Sequence, residues 1–495
     1  MKFRDMVKKQ LFILLVCALA AALVFCIVDT AMSGRLIWYL TDSDERPETP
    51  NVILVVVDAL RADHLTQYGY KRKTSVGLEP FARQATRFEN VFAPSSWTTP
   101  STTSILTGLH PARHKATFKG ATLNPKIRTL AEILRQGGYD TAGFSYNINI
   151  TDKTNHHQGF DHFVAPKHHG RSATTYPDIS EMIDEVEDWV DYHGRQRPFF
   201  LYMQPMNCHG PYRVPKAHQS DLLGRRPTGD FRYYGKLMAG IMLKGKNEDR
   251  KKVKKPYLES LREQYDTAIR YTTDQLSILF EWLREESMFE NAMVIVTADH
   301  GEELFDHGGF SHGYSLHNEV VRVPMFVKLP HQKRSAVRRE LISVMDIYPS
   351  VAEAMDIRYR HLVDGTSFLP VLKNVDEDGR VDIDGPARLD GRRKLLFNLD
   401  WPGRGVMTAL VESRYKLIDI VSDYTGRENA RLLYDRGDDP GEKKNIAEKE
   451  KNLIDQLRKV FKTEWQAYSD TAFDAPKSAL GEMDEKQLKA LGYVQ

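Results

Sequence analysis

The 495-residue sequence predicts an α/β protein, with a mostly parallel central sheet flanked by helices, a smaller C-terminal α+β subdomain and an N-terminal transmembrane helix. Three observations carry that expectation. Apolar, β-branched runs recur and end in polar residues, helix-period segments alternate with them, and an unbroken apolar stretch follows a basic flank at the N-terminus.

In chain order, "MKFRDMVKKQ" sets Lys2, Arg4, Lys8 and Lys9 before the apolar run Leu11 to Val28. That run is long enough to cross a bilayer, and its basic flank is expected to stay in the cytoplasm. Residues 1–41 therefore read as a basic flank and uncleaved membrane anchor, and the remainder of the chain as periplasmic or extracellular. Residues 42–50, rich in charge and proline, read as a linker. The strands expected next are "NVILVVVD" ending at Asp58, "YDTAGFS" from Tyr139, "RPFFLYM" before Gln204, "NAMVIVTAD" ending at Asp299 and "VPMFVKL" from Val323. Continuous apolar runs of this kind belong to strands covered on both faces. Between them, "SEMIDEVEDWVDYH" and the stretch from Tyr257 to Glu286 carry apolar residues at three- and four-residue steps, as in Tyr265, Ile269, Leu276, Phe280 and Leu283. These elements assign residues 51–385 to a catalytic domain. From about Pro386, short runs "KLLFNL", "VMTALVES" and "YKLIDIV" and the helical "EKNLIDQLRKVFKTEWQAY" assign residues 386–495 to the subdomain.

Composition narrows the function little. A hydrophobic content of 41% and a net charge of +2 are those of an ordinary globular protein and give no reason to expect a nucleic-acid partner. Cys17 and Cys26 fall in the anchor and Cys208 is alone, so no disulfide framework is expected.

Ligands of open α/β sheets bind beyond the carboxyl ends of the strands. Asp58, Asp299 with His300, and His209 all fall at that end. A buried strand-end carboxylate is costly unless it is paired or bound to a cation, which makes Asp58 a candidate metal ligand. Asp63 and His64, further on, read as surface or supporting groups. His312 follows Asp299 and His300 after a glycine-containing loop that can return to the same place. Carboxylate with imidazole favours zinc or manganese over calcium, with one ion or two. Singly, each residue has a plainer explanation, an aspartate capping the next helix or a hydrogen-bonded core histidine. Their shared position points instead to a divalent-metal centre.

The stretch "SSWTTPSTTSILTG", Ser95 to Gly108, holds nine hydroxyl side chains. Pro100 suits the first turn of a helix and puts Thr98 or Thr99 at the helix start, where free backbone N–H groups attract an anion. A hydroxyl beside a divalent cation becomes a nucleophile at neutral pH. The plainer alternative is a hydroxyl-rich turn that only caps the helix.

The stretches "NVILVVVDALRADHL", "WTTPSTTSILTGLHPARH", "TADHGEE", "RVPMFVKLP" and "LLYDRGDDPGEKKNIA" resemble, in order, the motifs of the sulfatase family within the alkaline phosphatase superfamily. The resemblance runs from about Asn51 to Ala447 and implies an alkaline phosphatase-like fold and hydrolysis of sulfuric or phosphoric esters. Formylglycine sulfatases carry Cys or Ser, any residue, then Pro-Ser-Arg, where this chain has Thr98, Thr99, Pro100, Ser101 and Thr102. Their paired metal aspartates match Asp58-Ala59, their Asp-Asn matches Asp299-His300, and their lysine segment is replaced by "SYNINI", in which Asn147 is the substitute. These positions look more like the threonine branch that includes phosphoethanolamine transferases and lipoteichoic acid synthases. That resemblance implies metal ligands Asp58, Thr98, Asp299 and His300, a catalytic Thr98, and His209 and His312 holding substrate oxygens or a second ion.

The segment 213–256 has thirteen Lys and Arg against four Asp and Glu. It reads as a basic insertion able to steer an anionic substrate or touch lipid headgroups, or more plainly as a solvated loop. The function expected is a membrane-anchored, formylglycine-independent hydrolase acting through a covalent Thr98 intermediate on an anionic ester of a glycan, a lipid headgroup or a small molecule. Two alternatives stand beside it: transfer of a phosphoryl-linked group to a lipid or glycan hydroxyl, and a non-catalytic module that holds anionic polymer.

Overall fold

A strand without polar alternation must be covered on both faces, and in Asn51–Val57 (β1) the residues from Val52 to Val57 have no exposed surface. The computed structural model describes residues 49–117, 121–166, 177–193, 196–227, 240–241, 250–373, 393–401, 405–423 and 427–474. The apolar run Leu11 to Val28, the boundary near Pro386 and the middle of the basic insertion lie outside them. No helix among the described residues is long and apolar enough to cross a membrane.

The central sheet continues with Thr86–Phe92 (β2), Asp140–Ser145 (β3), His162–Val164 (β4), Phe199–Gln204 (β5) and Ala292–Ala298 (β6). A small hairpin, Glu303–Leu304 (β7) and Phe310–Ser311 (β8), precedes the last two members, Arg322–Lys328 (β9) and Ala336–Ser343 (β10). The sheet order is β10-β2-β9-β6-β1-β5-β3-β4. β1 runs parallel to β5 on one side and β6 on the other, and β3 runs parallel to β5 and β4. β9 is the exception, antiparallel to both β6 and β2. Its apolar run gave no sign of direction, because hydropathy is the same read either way.

Four helices matter for the site and its support: Thr98–Thr107 (α1), Ile179–His193 (α2), Lys255–Glu285 (α3) and Lys451–Ser469 (α4). On α3, Tyr265, Ile269, Leu276, Phe280 and Leu283 are all buried, as their spacing predicts.

The second sheet is an antiparallel meander of Leu395–Trp401 (β11), Gly405–Val411 (β12), Tyr415–Asp423 (β13) and Glu428–Asp435 (β14). Side chains alternate along its strands. Leu396, Leu410, Leu417 and Leu433 face Ile454 and Leu457 of α4, while Phe397, Leu399 and Met407 join Phe92, Trp97 and Val320 of the main domain. The second sheet is thus fastened to the segment that opens α1 and to the loop that follows β8.

Candidate metal and nucleophile site

Parallel pairing fixes the first two ligand candidates side by side. Val57 of β1 pairs with Ala298 of β6, so the next residues, Asp58 and Asp299, leave the sheet together. The turn after Asp58 is held in an unusual conformation: Ala59 has φ of 59°, a left-handed value for a residue with a side chain. Tyr265 of α3 secures it, its hydroxyl donating to the Ala59 carbonyl at 2.7 Å and accepting from the Arg61 N–H at 2.9 Å. The Ala59 N–H in turn donates to Asp299 Oδ1 at 3.2 Å.

His300 completes a triad. Its Nδ1 lies 2.8 Å from the Gly301 carbonyl, which can only accept, so Nδ1 carries the proton and Nε2 presents its lone pair. Nε2 faces Asp58 Oδ1 at 3.8 Å and Asp299 Oδ2 at 3.6 Å. One ligand atom from each of Asp58, Asp299 and His300 lies within 4.8 Å of the others, and all three residues have no exposed surface.

Thr98 opens α1 after Trp97, whose φ of −159° is extended. Its Oγ1 stands 3.2 Å from His300 Nε2, 3.4 Å from Asp58 Oδ2 and 3.3 Å from Asn147 Nδ2. Asn147, just past β3, also donates to Asp58 Oδ2 at 2.6 Å. The hydroxyls after Thr98 serve the helix instead: Ser101 donates to the Ser95 carbonyl and Thr103 to the Thr99 carbonyl.

The remaining histidines form a row. His312 lies beside His300 with ring centroids 4.3 Å apart and planes tilted by 36°, and His209 meets His312 at 4.8 Å. His312 Nδ1 lies 3.0 Å from Glu302 Oε2. The structure therefore brings Asp58, Thr98, Asn147, Asp299, His300, His209 and His312 together. His64 stands apart, buried against Asp266 at 2.7 Å, and Asp63 pairs with Arg61.

Two participants were not singled out from sequence. Gln204 closes β5 as Asp58 closes β1, and its Nε2 lies 3.3 Å from Asp299 Oδ2 and 3.5 Å from Asp58 Oδ2. The strand-end rule that selected Asp58 applies to it equally. Glu302, within "TADHGEE", orients His312, and only the folded loop reveals that partnership.

The electrostatics ask for a cation. Burial, reinforced by the neighbouring Asp299, pushes the Asp58 carboxyl up to about 6, and burial pushes Asp299 up to about 7. Burial also lowers His300 and His209, keeping both imidazoles neutral. Asp58 Oδ1 is buried without a hydrogen-bond partner. A carboxylate oxygen with no donor, a second carboxylate oxygen and an imidazole lone pair converging on one point fit a divalent ion bound through nitrogen and oxygen.

The profile of the sulfatase family matches residues 50–357. The chain belongs to the sulfatase family. It is similar to an N-acetylglucosamine-6-O-sulfatase of Bacteroides thetaiotaomicron, 22% identical over 90% of this chain and 91% of that one. An arylsulfatase of Clostridium perfringens is 21% identical over 87% and 98% of the two chains. Among solved structures, the phosphonate monoester hydrolase of Agrobacterium radiobacter superposes with a TM-score of 0.65 at 18% identity, over 85% of this chain and 96% of that one. That likeness establishes the alkaline phosphatase-like fold expected from the motifs.

Proposed function

We propose that this sulfatase-family chain is a metal-dependent hydrolase of anionic sulfate or phosphate esters that uses Thr98, and no formylglycine, as its nucleophile. The observation that carries this reading is the Thr98 hydroxyl at the start of a buried helix, within 3.2 to 3.4 Å of two groups of the Asp58, Asp299 and His300 triad. Asp58, Asp299 and His300 would hold a divalent ion, whose positive charge would acidify the adjacent Thr98 hydroxyl and neutralise both carboxylates.

The residues of the chain do the rest. Thr98 Oγ1 attacks sulfur or phosphorus in line, the ester oxygen leaves, and the group remains on Thr98 until water releases it. Asn147 Nδ2 and the first-turn N–H groups of α1 donate to the equatorial oxygens. His209 and His312 line the approach and bind the outer oxygens, with Glu302 holding the His312 ring. The names of the relatives, an N-acetylglucosamine-6-O-sulfatase and an arylsulfatase, support a sulfated saccharide or aryl sulfate as substrate. An anchor at Leu11 to Val28 with the catalytic domain outside the cytoplasm belongs to the same proposal, and protease accessibility in intact cells tests it.

The deciding experiment pairs aryl sulfate, phosphate monoester and phosphodiester substrates with zinc- or manganese-loaded protein. Thr98→Ala is expected to lower turnover by at least roughly 10³-fold while metal content is kept. Retained turnover ends the assignment of Thr98.

A further inference from the structure

A second set of buried polar side chains lies where the loop carrying His312 meets the C-terminal sheet, and it gives the "DDPGEKK" stretch a task. Glu442, with φ of 55°, accepts from the Asn318 N–H through Oε2 at 2.8 Å. Its Oε1 lies 2.8 Å from Nζ of Lys416 on β13, and Lys416 also donates to Asn318 Oδ1 at 3.0 Å. Neither Lys416 nor Glu442 has exposed side-chain surface. The Glu442 carbonyl accepts from His307 Nε2 at 2.8 Å, and His307 Nδ1 faces Glu319 Oε1. A carbonyl on one nitrogen and a carboxylate on the other favour a protonated ring; burial is the largest single influence and opposes the charge, but the Glu319 hydrogen bond and charge together with the Glu442 carbonyl outweigh it and raise His307.

His307, His317 and Glu319 hold ligand-type atoms within 4.8 Å, yet the arrangement does not suit an ion. The two rings are stacked 3.8 Å apart at 7°, and a metal lying in the plane of one imidazole is then out of plane for the other. The cluster is balanced by its own charges.

Backbone bonds extend it to the nucleophile site. The Glu319 carbonyl accepts from the Glu302 N–H at 3.0 Å and the Val320 carbonyl from the Gly301 N–H at 2.9 Å. The approach is so close that a Cβ on residue 301 would lie 2.1 Å from the Glu319 oxygen, which explains the glycine after His300. Glu302 then holds His312. Resting on the function proposed above, we infer that Glu442 and His307 are positioning residues, through which the C-terminal subdomain sets His312 and the backbone beside His300. The route is Glu442, His307, Glu319, Glu302, His312, each joined to the next by a hydrogen bond.

The test uses His307→Phe, which keeps the ring stack and removes both polar contacts, His307→Gln, which restores one donor, and the doubly neutral pair Lys416→Met with Glu442→Gln, which leaves no unpaired buried charge. For His307→Phe and the double variant, kcat on the best ester is expected to fall roughly tenfold, as when other groups that orient active-site histidines are removed. KM should move by less than about twofold, with His307→Gln intermediate in kcat. Amide hydrogen exchange over residues 301–312 should speed up while that of β6 is unchanged. Unchanged exchange over 301–312, or an equal rise in β6, overturns the inference. If the unaltered protein turns over no ester, the function proposed above fails by itself and the exchange measurement still decides the positioning claim.

Discussion

The two buried clusters on either side of Gly301 use the same residue types to opposite ends. Around Asp58, Asp299 and His300, outside donors occupy the outer oxygens: Asn147 on Asp58 Oδ2, and the Ala59 and His300 N–H groups on Asp299 Oδ1. Asp58 Oδ1 is left without a donor, and it faces the His300 Nε2 lone pair together with Asp299 Oδ2, which Gln204 Nε2 approaches at 3.3 Å. Around His307, Glu319, Lys416 and Glu442, each charge has an opposite charge in contact and the rings are stacked. Similar composition therefore does not make two metal centres. What separates them is charge: in the first the carboxyl groups face each other and a neutral imidazole, and in the second each carboxylate meets a cationic side chain of the chain itself.

The strongest way to break this comparison is to remove one converging oxygen. Asp58→Asn replaces the partnerless Oδ1 or its companion with an amide that donates instead of accepting. We expect loss of bound zinc or manganese, measured by metal analysis of the purified protein, and turnover lower by roughly 10³-fold or more. His307→Phe should leave metal content at the wild-type level. Equal metal loss in both variants would mean that the clusters do not differ as described.

A smaller effect comes from the arm that joins them. Glu302→Gln keeps an acceptor or a donor toward His312 but removes the carboxyl, which burial holds well above its usual range, and kcat should fall about 10- to 100-fold. A kcat within about twofold of wild type would show that His312 needs no such partner.

How far these features could be read in the sequence depends on the range of the forces involved. Asp58 and Asp299 are legible because each ends an apolar run, and a run of that kind has one sheet end at which a polar side chain can gather. Thr98 is legible because Pro100 marks a helix start. Gln204 ends β5 in the same manner, and the rule extends to it once applied to every strand. Glu302, Glu442 and His307 are different: their partners lie on other elements, so no local period announces them. The reversed direction of β9 is hidden for the same reason, since neighbours in the sheet decide it.

The metal-free protein offers a third test. Asp58 and Asp299 are raised by burial to about 6 and about 7, above their ordinary value of 3.8. The folded state therefore keeps protons that the unfolded chain has released, and this contribution to stability is present below pH about 4 and lost as pH rises through 6 and 7. The melting temperature of the chelator-treated protein should fall between pH 5 and 8 by this route. Added zinc or manganese should restore more at pH 8 than at pH 5, because the deprotonated pair binds the ion and the protonated pair does not. A restoration independent of pH would mean that these carboxylates are not the ligands.

The smallest effect is expected from His317→Phe, and it sharpens the contrast most. His317 is buried, its Nδ1 has no hydrogen-bond partner, and its Nε2 makes one bond of 3.3 Å with the Tyr434 hydroxyl. Phenylalanine keeps the stack on His307, removes the orphaned nitrogen and gives up that single bond. The gain and the loss are each of order 1 kcal/mol, so stability should change by less than about 1 kcal/mol in chemical unfolding. Metal content and kcat should stay at wild-type levels, because the hydrogen-bond route from Glu442 to His312 passes through His307 and not through its neighbour. A His317 that held an ion could not be exchanged for a hydrocarbon ring with so small a loss, and this one substitution therefore separates a self-neutralised cluster from a metal site built of the same residues.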